Sequence, residues 1–174
     1  MSILVPVVSK GITLSELPNK MAVYFEIGCY TEGCYGCHSP QLQGHTDSYM
    51  TIDDMCTYAD DMLDMGANAI VLLGGTTNGD LDIKTIINEL AMLAPTGIYS
   101  GSDDDALHTW LVNNTQLTWI KTGSYMAALG GLQSPTTNQR FYERRYKVTS
   151  NLSDTRCDSY MEDITDTFLR KKEV

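Results

Sequence analysis

Basic side chains are scarce in this chain of 174 residues: 12 Lys and Arg stand against 22 Asp and Glu, a formal net charge of −10. That balance speaks against a protein that grips a phosphate backbone, which needs clustered Lys and Arg. Long apolar runs are missing as well. No stretch approaches the roughly 20 consecutive apolar residues of a membrane span. The apolar start, Met1-Ser-Ile-Leu-Val-Pro-Val-Val-Ser-Lys10, lacks a positive first segment and a small-residue cleavage site, so a signal peptide is not expected. Neither nucleic acid nor membrane is therefore an expected partner. Histidines are few, and His38, His45 and His108 form no evident triad with a Ser or Cys. Internal repeats and low-complexity tracts are absent. The five cysteines are an odd number and unevenly spaced, unlike a secreted disulfide framework, and point to a reducing, cytoplasmic setting.

What is present is uneven. Residues 1–139 hold 4 basic and 15 acidic side chains, whereas residues 140–174 hold 8 and 7. The tract Arg140-Phe-Tyr-Glu-Arg-Arg-Tyr-Lys147 suits either an acidic partner or, more simply, a solvated strand face. Most of the chain alternates apolar runs with helical patterns. Strands are predicted over Ala22–Ile27, Asn68–Leu73, Thr96–Ser100 and Leu117–Lys121. Helices are predicted over Ile52–Met65, Asp82–Leu93 and Asp103–Asn113, with Thr51 as N-cap of the first. Residues 123–140 read as a long loop, Phe141–Thr149 as a late strand and Asp158–Lys172 as a terminal amphipathic helix. The length accommodates one core, hence a single domain over 1–174. Regular strand–helix alternation predicts an α/β fold with a mostly parallel sheet, open or partly closed into a barrel.

In parallel sheets, ligands bind beyond the carboxyl ends of the strands. Those ends carry Cys29, Cys34 and Cys37 after the first strand, Gly74-Gly75-Thr76 after the second, Ser100-Gly101 after the third and Lys121-Thr-Gly123 after the fourth. Three thiolates on one short loop can hold an iron–sulfur cluster and leave one iron open for chemistry. The alternative is a structural zinc held by the same cysteines and His38, although adjacent Cys37 and His38 reach one tetrahedral ion poorly. Cys56 and Cys157 read as thiols without a special role. Tyr24, Tyr30 and Tyr35 suit either stacking on a nucleobase or packing.

The chain resembles the radical S-adenosylmethionine enzymes, and more closely the activating component of the anaerobic (class III) ribonucleoside-triphosphate reductase. The matching pieces are Gly28-Cys29 through Gly36-Cys37-His38-Ser-Pro-Gln-Leu42, Gly74-Gly75, Tyr99-Ser-Gly101, and Tyr125 through Ser134-Pro-Thr-Thr-Asn-Gln-Arg140. The likeness covers about residues 20–147; residues 148–174 read as an added segment. It implies a partial (β/α) barrel of radical S-adenosylmethionine type, open on one side. It also implies a [4Fe–4S] cluster on Cys29, Cys34 and Cys37, with S-adenosylmethionine on the open iron. One electron, from a donor such as flavodoxin, then cleaves the S–C5′ bond to a radical that takes a hydrogen from a glycine of the large catalytic reductase subunit. By the same likeness Gly36, Cys37 and His38 pack beside the adenine, and Gly75, with Gly74 before it in the cofactor-binding turn, approaches the methionine part; Ser100 and Lys121, by strand-end position alone, stand where ribose or carboxylate contacts arise. Other members of the wider family act on other glycyl-radical enzymes or small molecules. Two departures stand out. The first cysteine gap is one residue longer than the usual C-x3-C-x2-C, and Thr76 stands where the family has an acid that anchors the methionine ammonium. Asp80, four residues on, is a candidate replacement if the loop folds back.

Overall fold

The computed structural model describes residues 3–29, 39–44, 46–151 and 154–169. They form one eight-stranded sheet and, among the described residues, three α-helices. The strands are β1 (Leu4–Thr13), β2 (Ala22–Ile27), β3 (Tyr49–Thr51), β4 (Ala69–Gly74), β5 (Thr96–Tyr99), β6 (Leu117–Thr122), β7 (Arg140–Asn151) and β8 (Asp154–Asp163). The helices are α1 (Ile52–Asp64), α2 (Ile83–Ala91) and α3 (Asp105–Asn113). In space the strands run β3-β1-β2-β4-β5-β6-β7-β8.

This corrects the expected partial barrel. The contacts β2·β4, β4·β5 and β5·β6 are parallel, whereas β1·β2, β1·β3, β6·β7 and β7·β8 are antiparallel. The sheet is mixed and mostly antiparallel, with β3 and β8 as its edges, and it is not a radical S-adenosylmethionine-type (β/α) barrel. Four parallel strands with three helices are too few to curl round on themselves. Hairpin partners extend the sheet at both sides instead.

The parallel centre follows from local chemistry. Thr51 caps α1 through a reciprocal box: its hydroxyl accepts from Asp54 N–H, and the Asp54 carboxylate accepts from Thr51 N–H. Asp82 accepts from Thr85 N–H at the start of α2, and Asp104 accepts from Ala106 N–H at the start of α3. Because the order β2-β4-β5-β6 always steps in one direction, right-handed crossovers put every helix on one face. There Met55, Ile86, Ile87, Leu90 and Leu111 bury against Phe25, Ile70, Leu72, Ile98 and Ile120. Among the described residues the other face carries no α-helix. It is covered by Leu17 from the β1–β2 connection, Leu132 from the β6–β7 connection and Phe168 near the C-terminus, packed around Ala69, Val71, Trp119 and Phe141.

One further expectation changes, and the N-terminal run, which had no assigned element, gains one. The N-terminal run forms β1, paired with β2 from Thr13↔Ala22 to Val7↔Ile27. The expected helix over Asp158–Lys172 is instead strand β8 and a 3-10 turn, Thr165–Phe168. Its apolar residues at 161, 164 and 168 suggest a helical stripe. Met161 in fact packs on the helix-side core, and Ile164 and Phe168 on the opposite one. The β7·β8 ladder runs unbroken from Tyr142↔Asp163 to Asn151↔Asp154, so the segment read as an addition completes the sheet. It sets Glu143 opposite Glu162, and Arg145 bridges both carboxylates at 2.8 and 2.6 Å. Arg144 of the same basic tract is buried. Among the described residues no helix is long and apolar enough to cross a membrane.

Candidate functional site

Four parallel strands end on one edge of the sheet, and the register fixes which residues share a row there. Glu26 pairs with Leu73, Leu73 with Tyr99 and Tyr99 with Lys121. With strands about 4.8 Å apart, this row spans about 14 Å. All four residues face a cavity of about 970 Å³, at the upper end of the volumes usual for small-molecule sites. Cys29, Gly74, Thr76, Ser100 and Lys121 all line it, so the strand-end residues singled out in the sequence converge on one space. Gly75 does not line it: a Cβ there would meet Ile27 Cγ2 at 2.8 Å, so this glycine serves close packing of the turn. Asp80 is exposed and off the cavity wall; its N–H donates to Asn78 Oδ1. Cys34, Gly36, Cys37 and His38 lie outside the described residues, as do Tyr30 and Tyr35.

The base of the cysteine loop is a built frame. Gly28 N–H donates to Pro6 O at 2.9 Å, and Cys29 N–H donates to Leu42 O at 2.8 Å. Buried Asn78 donates from Nδ2 to Gly28 O at 3.1 Å, tying the loop after β4 to the loop after β2. Gln41 Nε2 donates to Glu26 Oε1 at 3.1 Å. The chain thus leaves β2 at Gly28–Cys29 and is tied back to it at residues 41–42. Cys29 belongs to no disulfide. Among the described residues its thiol makes one weak hydrogen bond, 3.9 Å to Ile27 O. Gly74, at φ +88°, leaves room beside it: a Cβ on Gly74 would lie 3.5 Å from Cys29 Sγ and only 2.8 Å from Ile27 O. An accessible thiol, next to a backbone with no side chain in the way, is a donor suited to a soft metal centre. Among the described residues no three metal-ligating side chains come together.

The opposite wall has a different character. Tyr99 donates its phenol to Glu16 O at 2.6 Å, and burial, followed by the nearby Glu16, pushes its pKa far above the ordinary range. It therefore remains a neutral donor. The Lys121 ammonium sits 5.1 Å above the Tyr99 ring, a cation–π contact. Ser100 is buried; it donates to Thr76 Oγ1 at 3.2 Å and accepts from Ser102 N–H. The β6–β7 connection closes the cavity through Gly123, Tyr125, Leu132 and Gln139. Tyr24 is not part of this wall. Its phenol hydrogen-bonds Ser9 Oγ, and its ring packs against Gly11.

Sequence reasoning missed Glu26 and the Ser15–Glu16 segment. Glu26 had a signal, a charged residue inside an otherwise apolar strand. Ser15 and Glu16 had none, because they reach the cavity only through Leu17, which plugs into the space beside Gly97. The chain matches no protein-family model, no curated protein and no solved structure.

Proposed function

We propose that the protein is a glycyl-radical activase, acting on the large catalytic subunit of an anaerobic ribonucleotide reductase. The observation that carries this reading is the convergence of Cys29, Gly74, Thr76, Ser100 and Lys121 on one cavity at the carboxyl edge of four parallel strands. The reading rests on that edge and on the resemblance of the cysteine loop and the Ser134–Arg140 stretch, not on a barrel. Cys29, Cys34 and Cys37 would hold a [4Fe–4S] cluster, and the accessible Cys29 thiol beside Gly74 fits that ligation. When bound, the cluster and S-adenosylmethionine supply one-electron cleavage of the S–C5′ bond and hydrogen abstraction from glycine.

The chain's own residues do the rest. The tie between Cys29 and Leu42 fixes where the cysteine loop begins and ends. Tyr99, held neutral, orients the β1–β2 connection as one wall and presents its ring to the Lys121 ammonium, which supplies positive charge for a carboxylate or ribose oxygen. The β6–β7 connection shields the cavity from water and offers backbone and amide groups to an incoming protein loop. Crowded thiols and a flavodoxin-type donor would suit a reducing, cytoplasmic setting for the proposed activity.

Anaerobic reconstitution with iron and sulfide tests this. The expected result is a brown protein that releases methionine from S-adenosylmethionine on reduction and generates a glycyl-radical resonance on the reductase subunit. Cys34→Ala abolishes both. A colourless protein retaining one zinc and no cleavage refutes the proposal.

A further inference from the structure

We propose that β8 is a pairing edge whose partner is β8 of a second copy of this chain, giving a symmetric dimer with one continuous sheet. The sheet has two edges. β3 offers only Tyr49–Thr51, whereas β8 runs from Asp154 to Asp163 with no proline, no glycine and no break in its ladder to β7. Among the described residues no strand pairs with its outer side. Such an edge presents a row of unpaired N–H and C=O groups. Its length also exceeds its support. β6 meets β7 only from Arg140 to Glu143, so the ladder from Arg145↔Tyr160 to Asn151↔Asp154 stands as a two-stranded arm. A ribbon of two strands is marginal in water, and further strands secure it. Tyr146, Val148 and Tyr160 on this arm are each more than half exposed.

Charge complementarity selects the partner and the register. Charged residues on an edge strand ordinarily repel a second strand. Those of β8 oppose self-pairing in most registers but not in all. In antiparallel self-pairing a two-fold axis normal to the sheet must pass through a residue, because only then do residues on the helix side meet residues on the helix side. An axis through Asp158 or Glu162 sets two like acids face to face, and one through Tyr160 sets Asp158 against the partner's Glu162. An axis through Cys157 joins only residues 154–160, and one through Met161 only 159–163. The axis through Ser159 joins 155–163, nearly the whole strand. It sets Arg156 at the register position of the partner's Glu162, Asp158 at that of the partner's Tyr160 and Cys157 at that of the partner's Met161, each twice and with no like charges opposed. About eight to ten main-chain hydrogen bonds close across this seam. Each arm then lies along the root of the other copy's hairpin, so the two-stranded ribbon gains the partner's β8 and β7.

The test is sedimentation equilibrium of the full chain under reducing conditions, as wild type, Tyr160→Asp and Tyr160→Lys. Tyr160 is half exposed and belongs to neither core cluster, so both variants are expected to keep the fold. Both lose the ring, but they set opposite charges against the partner's Asp158. The expected result is a wild-type dimer, weakened about tenfold or more in Tyr160→Asp and held within about threefold in Tyr160→Lys. Equal affinity of the two variants overturns the proposed pairing. Amide hydrogen exchange locates the contact: protection of residues 155–163 is expected to rise with protein concentration. A rise confined to other segments overturns the proposal, as does a wild-type chain that stays monomeric at about 0.1 mM. These outcomes leave the activase reading untouched, since that reading needs only the cavity of one chain.

Discussion

Gly74 offers the sharpest test of how the site is built. Replacing it by Ala adds one carbon at a position with φ +88°, where a Cβ would sit 2.8 Å from Ile27 O and 3.2 Å from Leu42 Cδ1. The left-handed conformation alone costs a non-glycine residue about 1–2 kcal/mol. The collision adds more, because the obstructing atom is backbone of the neighbouring strand and cannot rotate away; overpacking of this kind costs about 1–3 kcal/mol. Together these give about 3 kcal/mol. For a domain of this size 1 kcal/mol shifts Tm by about 2–4 °C, so Gly74→Ala should lower Tm by about 6–12 °C. Gly44 is the matched control. It has φ +89° and nothing within 4 Å of the added carbon, so Gly44→Ala carries only the conformational cost. Thermal unfolding followed by circular dichroism should show Gly74→Ala lower than Gly44→Ala by the crowding contribution. If the two variants melt together, the close approach of Gly74 to Ile27 is not a constraint and the argument for a preformed space beside Cys29 fails.

Two other perturbations probe the scaffold. Arg144 is 5 % exposed and donates to Leu117 O, Val112 O, Asn114 O and Ser159 Oγ. Arg144→Met should cost about 3 kcal/mol by leaving buried carbonyls unpaired, with only partial rescue in Arg144→Lys, which lacks the planar fork; urea unfolding would read both, and a loss under 1 kcal/mol for Met would contradict the clamp. Thr51→Ala removes the N-cap of α1 and should cost about 1 kcal/mol near neutral pH. The Thr51 hydroxyl and then its N–H hold the Asp54 carboxyl below its ordinary value, so this stabilisation is complete above the ordinary aspartate pKa and is lost as pH falls through the depressed one. The Tm gap between wild type and variant should therefore narrow on acidification below about pH 4; a constant gap would exclude the Asp54 half of the box.

The centre of the fold was legible because its signals are local. Runs such as Ala69–Leu73, the i, i+3, i+4 stripe of α2 and the caps Thr51, Asp82 and Asp104 each act within a few residues, and the structure has strands and helices there. The flanks were not legible because they depend on distant partners. The strand character of β8 comes from β7, and its three apolar residues serve two different core clusters. The N-terminal run gains its role only by pairing with β2. A count of parallel units could not reveal the antiparallel strands that keep the sheet open. The same holds for the site. The strand-end positions of Cys29, Thr76, Ser100 and Lys121 followed from alternation, while Glu16 reaches the cavity through a plug by Leu17 that no periodicity announces.

The antiparallel turn from β6 into β7 has one more consequence. A parallel crossover must travel the length of the sheet, so its size is tied to the helix it carries. Residues 123–139 instead depart from and return to the same edge. Gain or loss of residues there can reshape one side of the cavity while Lys121↔Phe141 and every other strand register stay as they are. Diversification of what the cavity admits is thereby separated from the architecture that supports it.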